Sequence, residues 1–194
     1  MNDGDRVLTL VEAHVVSALG RDSGRASVSF LGTERIDILR FGPGPDDLVR
    51  YVTLGMSRAP MTAADSDVLA ADGPRAELVL TVRGVHDSVL NQLAVLAAVP
   101  AVEGMVVLPG ARLELGAPLW AGAGFPAVLI GEPADSSVPS LDDPAVDFLP
   151  VFPVTTNELA WARVHGSDAL LVRWRAEGTD INDPRRSAVD LRSP

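Results

Sequence analysis

The sequence predicts an α+β domain, with a mixed or antiparallel sheet packed against helices. Three observations predict it. Apolar residues alternate with period two in several short runs separated by Gly- and Pro-rich breaks, which is a strand pattern. Helical periodicity is confined to the start, the middle and the end of the chain, so the order reads α-β-β-β-β-α-β-β-α-α and not as a regular βαβ alternation. Finally, residues 146–161 run from an apolar strand straight into a capped helix, a joint around which the rest is organised.

Residues 3–19 read as an amphipathic helix, with Val7, Leu10, Val11, His14, Val15 and Ala18 on one stripe and Gly20 as its stop. A polar break at 21–25 leads to a strand over 26–30 with Val28 and Phe30 inward. A second strand spans 34–41, where Ile36 and Ile38 face one way and Leu39 and Phe41 the other. The run GPGPDD at 42–47 breaks the chain, and a third strand follows at 48–54. Residues 58–73, rich in Ala and Asp, are expected to form a mobile loop. The strand at 75–83 is the cleanest, with Leu78, Leu80 and Val82 alternating against Val79 and Thr81.

Residues 88–99 form the most apolar helix, polar only at Asn91 and Gln92 after Ser88, so most of its surface is expected to be buried. Pro100 should end it. Residues 109–118 are a Gly/Pro-bounded connection, 125–130 a short apolar strand, and 134–144 an acidic loop. In the strand that begins at Val146, Val146, Phe148, Pro150 and Phe152 point to one side and Asp147, Leu149, Val151 and Pro153 to the other. Both sides are mostly apolar, so both faces should be covered. Pro150 and Pro153 cannot donate to a ladder, which assigns them to an edge or to the strand's end. Thr155 and Glu158 have capping-box spacing, Gly166 stops that helix, and Ser167 caps another over 168–175 with Leu170, Leu171 and Trp174 on one face. The domain reading is an N-terminal amphipathic helix and linker at 1–24, an α+β domain at 25–176, and a polar tail at 177–194 that ends loosely.

Bulk properties exclude several functions. A chain of 194 residues can bury about 70% of its unfolded surface, so it needs no disulfide or metal to hold it. It has no cysteine, which removes disulfides, thiolate zinc sites and cysteine nucleophiles. The net charge is −10, from 26 acidic and 16 basic residues, all of the latter arginine, as codon bias in a GC-rich genome would produce. Such a charge repels phosphate backbones, so nucleic acid is not an expected partner. The start lacks the apolar core of a signal peptide and no run of about 18 apolar residues occurs, so no membrane span is expected and the cytoplasm is the default location.

The candidate chemistry is sparse. Gly55 to Ala59 (GMSRA) follows a strand and nearly matches a nucleophile elbow at Ser57, but Pro60 blocks the helix an elbow needs, and only His86 and His165 lie downstream. His14, His86 and His165 are far apart, with no metal-ligand spacing. The run FGPGP at 41–45 lacks the third glycine and the following helix of a phosphate loop. Asp46–Asp47 and Asp142–Asp143 read as solvated loop residues rather than an acid/base pair. No cofactor is implied. Trp161 and Trp174 read as core. Trp120, between Pro118 and Gly122, is either exposed and available to a partner or packed under its loop.

The order of segments resembles the suppressor-of-fused domain family. The resemblance rests on YVTLGMS at 51–57, AELVL at 76–80, LAVLA at 93–97 and VDFLPVFPVTTNEL at 146–159, with DINDPRR at 180–186 similar to the family's closing segment. It covers roughly residues 25–190. The sequence departs at 108–112, where family members often carry a Gly-x-Gly-His turn and this chain has Arg112 in the histidine position. The resemblance implies a non-enzymatic binding protein. Animal members hold a transcription factor in an inhibited complex, and bacterial members are commonly proposed as immunity proteins that neutralise a co-encoded toxin. The expectation is therefore occlusion of a toxin by a rigid domain. Arg112, Glu114 and Trp120 in the surface connection are the expected contacts. The alternatives are a cytosolic regulator binding a peptide at a free sheet edge, and a hydrolase using Ser57.

Overall fold

The computed structural model describes residues 2–30, 33–63 and 73–192. Helix α1 (Asp3–Leu19) leads into strands β1 (Gly24–Val28), β2 (Ile36–Phe41), β3 (Leu48–Leu54) and β4 (Ala76–Arg83). Helix α2 (Val89–Glu103) follows, then β5 (Arg112–Glu114), β6 (Ala127–Ile130), β7 (Leu141–Asp142) and β8 (Ala145–Val154), and the chain closes with α3 (Thr156–His165) and α4 (Ser167–Ala176). The strands form a mixed sheet in the order β1-β2-β3-β4-β8-β6-β5, with β7 beside the start of β8. Among the described residues only β4 and β8 run parallel, joined by the long connection that carries α2. The α+β expectation holds. Of the loop expected at 58–73, residues 64–72 lie outside the described residues.

Strand parity decides which helix covers which face. Ile36, Ile38, Leu78, Leu80, Leu149 and Val151 point to one face and pack with α2 through Leu93, Leu96 and Ala97. Leu39, Phe41, Val79, Val146 and Phe148 point to the other and meet Val7, Val11 and Val15 of α1. Further along that second face, Ala127, Leu129 and Val154 meet Leu159, Leu170 and Trp174 of α3 and α4. Both faces of β8 are covered, as its two-sided apolar pattern requires. On α1 the buried stripe is narrower than expected: Leu10 and Ala18 are exposed, because a helix lying on a twisted sheet buries its i, i+4, i+8 row first.

Four expectations are corrected. The helix passes through Pro100 to Glu103: proline's fixed φ suits a helix, the Pro100 carbonyl still accepts from Gly104 N, and the last turn ends on left-handed Gly104. Of the prolines of β8, Pro153 stands beside Val154, the strand's last residue, as expected, but Pro150 lies inside the sheet, away from both edge and strand end. Pro150 is the last residue in register with β4, and the β6 register begins at Val151. Pro153 faces Val128 across a non-hydrogen-bonded position, so its missing N–H breaks no ladder bond. Ser167 does not cap α4. Gly166 stands at the cap, and the serine hydroxyl donates to Gly110 O at 2.7 Å. The polar segment after α4 is not loose through residue 192: Ile181, Val189 and Leu191 pack on the α3–α4 cluster, and Asn182 O accepts from Arg83 N at 2.9 Å.

Close approach explains one glycine. Gly131 N donates to Pro150 O at 2.8 Å where β6 leaves the sheet, and a Cβ there would meet Pro150 Cγ at 2.8 Å and press into the Phe152 ring.

Candidate functional site

The expected connection at 109–118 contains a strand, β5, because Leu113 and Leu115 have an apolar surface to reach. They pack on the α2 cluster, while Arg112 and Glu114 alternate to the other face. Among the described residues the strand ends the sheet, and only β6 pairs with it. Ala111 O accepts from Ile130 N, and Leu115 N donates to Pro126 O, both at 2.9 Å. By the alternation of an antiparallel ladder, the N–H and C=O groups of Arg112 and Glu114 therefore point away from β6, off the sheet. Their side chains are anchored from behind: Arg112 Nη1 donates to Ser167 Oγ at 2.6 Å, and Glu114 pairs with Arg163 of α3. The site is an open strand edge with one cation and one anion beside it.

Trp120 is not part of that surface. It is 4% exposed, stacks on His86 with centroids 5.0 Å apart, and tilts against Phe125 at 5.5 Å. The loop turns its apolar side inward because its backbone is tied down: Leu119 N donates to Phe125 O, Ala123 N to Trp120 O, and Ala121 N to Ser88 Oγ. Of the two readings of Trp120, the structure shows the packed one.

Ser57 sits in a single 3-10 turn, Met56–Arg58, and is fully buried. Its hydroxyl donates to Glu77 Oε1 at 2.6 Å, and the same oxygen accepts from Gly55 N and Ser57 N. Thr53 donates to the other oxygen at 2.6 Å and accepts from Leu78 N. Glu77 thus ties the β3 end to β4. His14, His86 and His165 lie apart, each with a ring nitrogen against a backbone carbonyl, those of Pro139, Arg83 and Trp161. Ser57 is brought to no histidine, and the one carboxylate it meets, Glu77, is buried and also accepts from Thr53, Gly55 N and Ser57 N, so the pair braces the turn and is closed to a substrate. Among the described residues no group of three or more His, Asp or Glu could hold a metal ion.

A buried hub escaped sequence reasoning. Glu158 completes the capping box, accepting from Thr155 N at 2.9 Å, and also accepts from Trp174 Nε1, Val189 N and Arg186. Arg186 lies between the Phe125 and Trp174 rings, 5.1 and 5.0 Å from their centroids, and its Nη2 reaches Pro153 O at 2.6 Å. Burial pushes the Glu158 carboxyl up, but the Arg186 guanidinium, the Thr155 N–H and the Trp174 indole together hold it below the usual carboxylate range. The capping spacing located Glu158. Its cation lies 28 residues on, at the end of the DINDPRR segment, which the family resemblance picked out but no local pattern ties to Glu158.

No helix among the described residues is long and apolar enough to cross a membrane. The fold is similar to that of a suppressor of fused homolog from Neisseria gonorrhoeae FA 1090, at 17% identity and a TM-score of 0.72, covering 95% of this chain and 97% of that one. It is similar to a chain of the Sufu–Fu complex at 13% identity and a TM-score of 0.66, covering 94% and 91%. Drosophila Suppressor of Fused aligns at 16% identity and a TM-score of 0.67 over 92% of this chain, which spans 50% of that one. No curated protein sequence matches. The family model for suppressor of fused protein matches residues 32–187, and the chain belongs to the suppressor of fused family.

Proposed function

We propose that the chain is a non-enzymatic protein-binding domain that captures an extended segment of a protein partner along the outer edge of β5. The observation that carries the reading is that edge: the backbone groups of Arg112 and Glu114 point off the sheet, flanked by an exposed cation and anion. An added strand would gain main-chain hydrogen bonds there and side-chain selection from its neighbours. Family membership supports a binding role, since a solved relative is a Sufu–Fu complex. We take the partner to be a co-encoded bacterial toxin, neutralised by occlusion; the net charge of −10 would speed capture of a basic one.

The test is affinity for the product of the neighbouring toxin-like gene, with circular dichroism as the folding control. Glu114→Pro removes one outward N–H, and Arg112→Ala removes the flanking cation; each should weaken the complex by about 1–3 kcal/mol with the fold intact. Wild-type affinity in both variants would move the interface elsewhere. No binding by the wild type, and no rescue of cells expressing the toxin, would remove the immunity reading. Trp120→Ala is not an interface test, because it hollows the core.

A further inference from the structure

A groove lined by none of the β5 residues has no role in that reading. It runs along the sheet face shared by α1, α3 and α4, between the turn at 133–137 and the segment at 178–182. It has two lobes, of about 270 and about 420 Å³, which share Asp135, Phe152 and Ile181. The larger lobe has an apolar wall of Phe152, Leu171 and Trp174, with Asp135, Arg175 and Thr179 also lining it. The smaller is floored by Val79 and Pro150 and rimmed by Arg50, Thr81 and Asn182. An apolar chamber with a few convergent polar groups is the usual make-up of a binding cleft.

Arg50 is the cation of the smaller lobe. It projects from β3 beside Thr81 of β4 onto this face. Its side chain is 26% exposed, and its Nε is buried without a hydrogen-bond partner. Its one ion pair among the described residues, Nη2 to Asp46 Oδ2, spans 4.0 Å, beyond hydrogen-bond reach. Of the other carboxylates nearby, Asp180 is hydrogen-bonded to Arg83 at 2.9 Å, and Asp135, on the groove's rim, has Arg175 as its nearest cation at 3.6 Å. A half-buried guanidinium with its donors unspent is matched best by a carboxylate, which can accept two of them at once.

We infer that this groove docks a partner segment in which an acidic side chain adjoins an aliphatic one, the carboxylate on Arg50 and the apolar side chain against Phe152, Leu171 and Trp174. The site is independent of the β5 edge. It is tested by amide NMR titration of the full chain with acetyl-Gly-Leu-Glu-Gly-amide, its Leu-Gln counterpart, and 4-methylpentanoate as a free acid. The Glu peptide should shift the amides of Thr81, Ile181 and Asn182 and leave those of Arg112 and Glu114 still. The Gln peptide should bind about tenfold more weakly or worse, as losing a charge-assisted pair implies. Arg50→Met should abolish the difference between the two peptides, and Leu171→Ala should weaken both, so that one variant remains informative if the other fails to fold. Equal binding of the Gln peptide, shifts elsewhere on the chain, or no shifts at all would overturn the proposal. Tighter binding of 4-methylpentanoate than of the Glu peptide would replace the peptide by a small carboxylic acid.

Discussion

Arg186→Met removes the cation that a fully buried carboxylate relies on. Arg186 is 5% exposed and Glu158 is 0% exposed. Deleting one member of a buried pair costs about 3–5 kcal/mol, because the remaining charge keeps its desolvation penalty without its partner. Glu158 retains Trp174 Nε1, Val189 N and Thr155 as donors, which places the loss near the lower end. For a chain of this length each kcal/mol lowers the melting temperature by roughly 2–4 °C, so a fall of about 10 °C is expected. The assay is thermal unfolding by circular dichroism. Its companion is a cycle with Glu158→Gln: the double variant should be less destabilised than the sum of the single ones, since no charge is left stranded. A melting temperature for Arg186→Met within about 2 °C of the wild type would refute the reasoning, as would strict additivity in the cycle.

Acid should act on the same hub. The folded state holds the Glu158 carboxyl below its ordinary value, so its contribution is complete above the unfolded pKa and is lost as pH falls through the folded one. Stability should therefore fall more steeply below about pH 4 in the wild type than in Glu158→Gln, as read from urea midpoints; parallel profiles would count against it. Leu93→Asp buries an unpaired charge under the sheet and should cost about 4 kcal/mol or more; unchanged melting would remove the buried-helix assignment. Ser57, buried and donating to Glu77, should not be labelled by a fluorophosphonate probe; stoichiometric labelling that is lost on mutating His86 or His165 would contradict the site geometry.

Much of this fold was legible because each face of the sheet left its own period-two signal. Ile36 and Ile38 part from Leu39 and Phe41 in the sequence as they do in the structure. The capping box at Thr155 and Glu158 was legible because all its parts lie within one turn. What escaped depends on pairing over distance. The central place of β8 cannot be read from Pro150 and Pro153, because a proline's cost depends on which neighbour its nitrogen faces. Leu113 and Leu115 are too few for an alternation to show, so β5 was hidden in a connection. The open edge of β5 is a property of sheet order, and sheet order has no local signature.

The position of β8 has a consequence for the order in which the chain can assemble. Strands β1 to β4 are antiparallel neighbours in sequence and can pair in order while synthesis continues, β1 to β3 by short closures and β4 across residues 55–75. β4 then waits: its second partner is parallel and lies beyond α2, β5, β6 and β7. Until Pro150 has emerged, the run from Ala76 to Val79 presents an unpaired edge, and until Val154 has emerged β5–β6 is a short hairpin with no sheet to join. Closing the sheet is therefore a late, long-range event, and a ribosome stalled before residue 145 would carry two unfinished half-sheets, each with an edge open to aggregation.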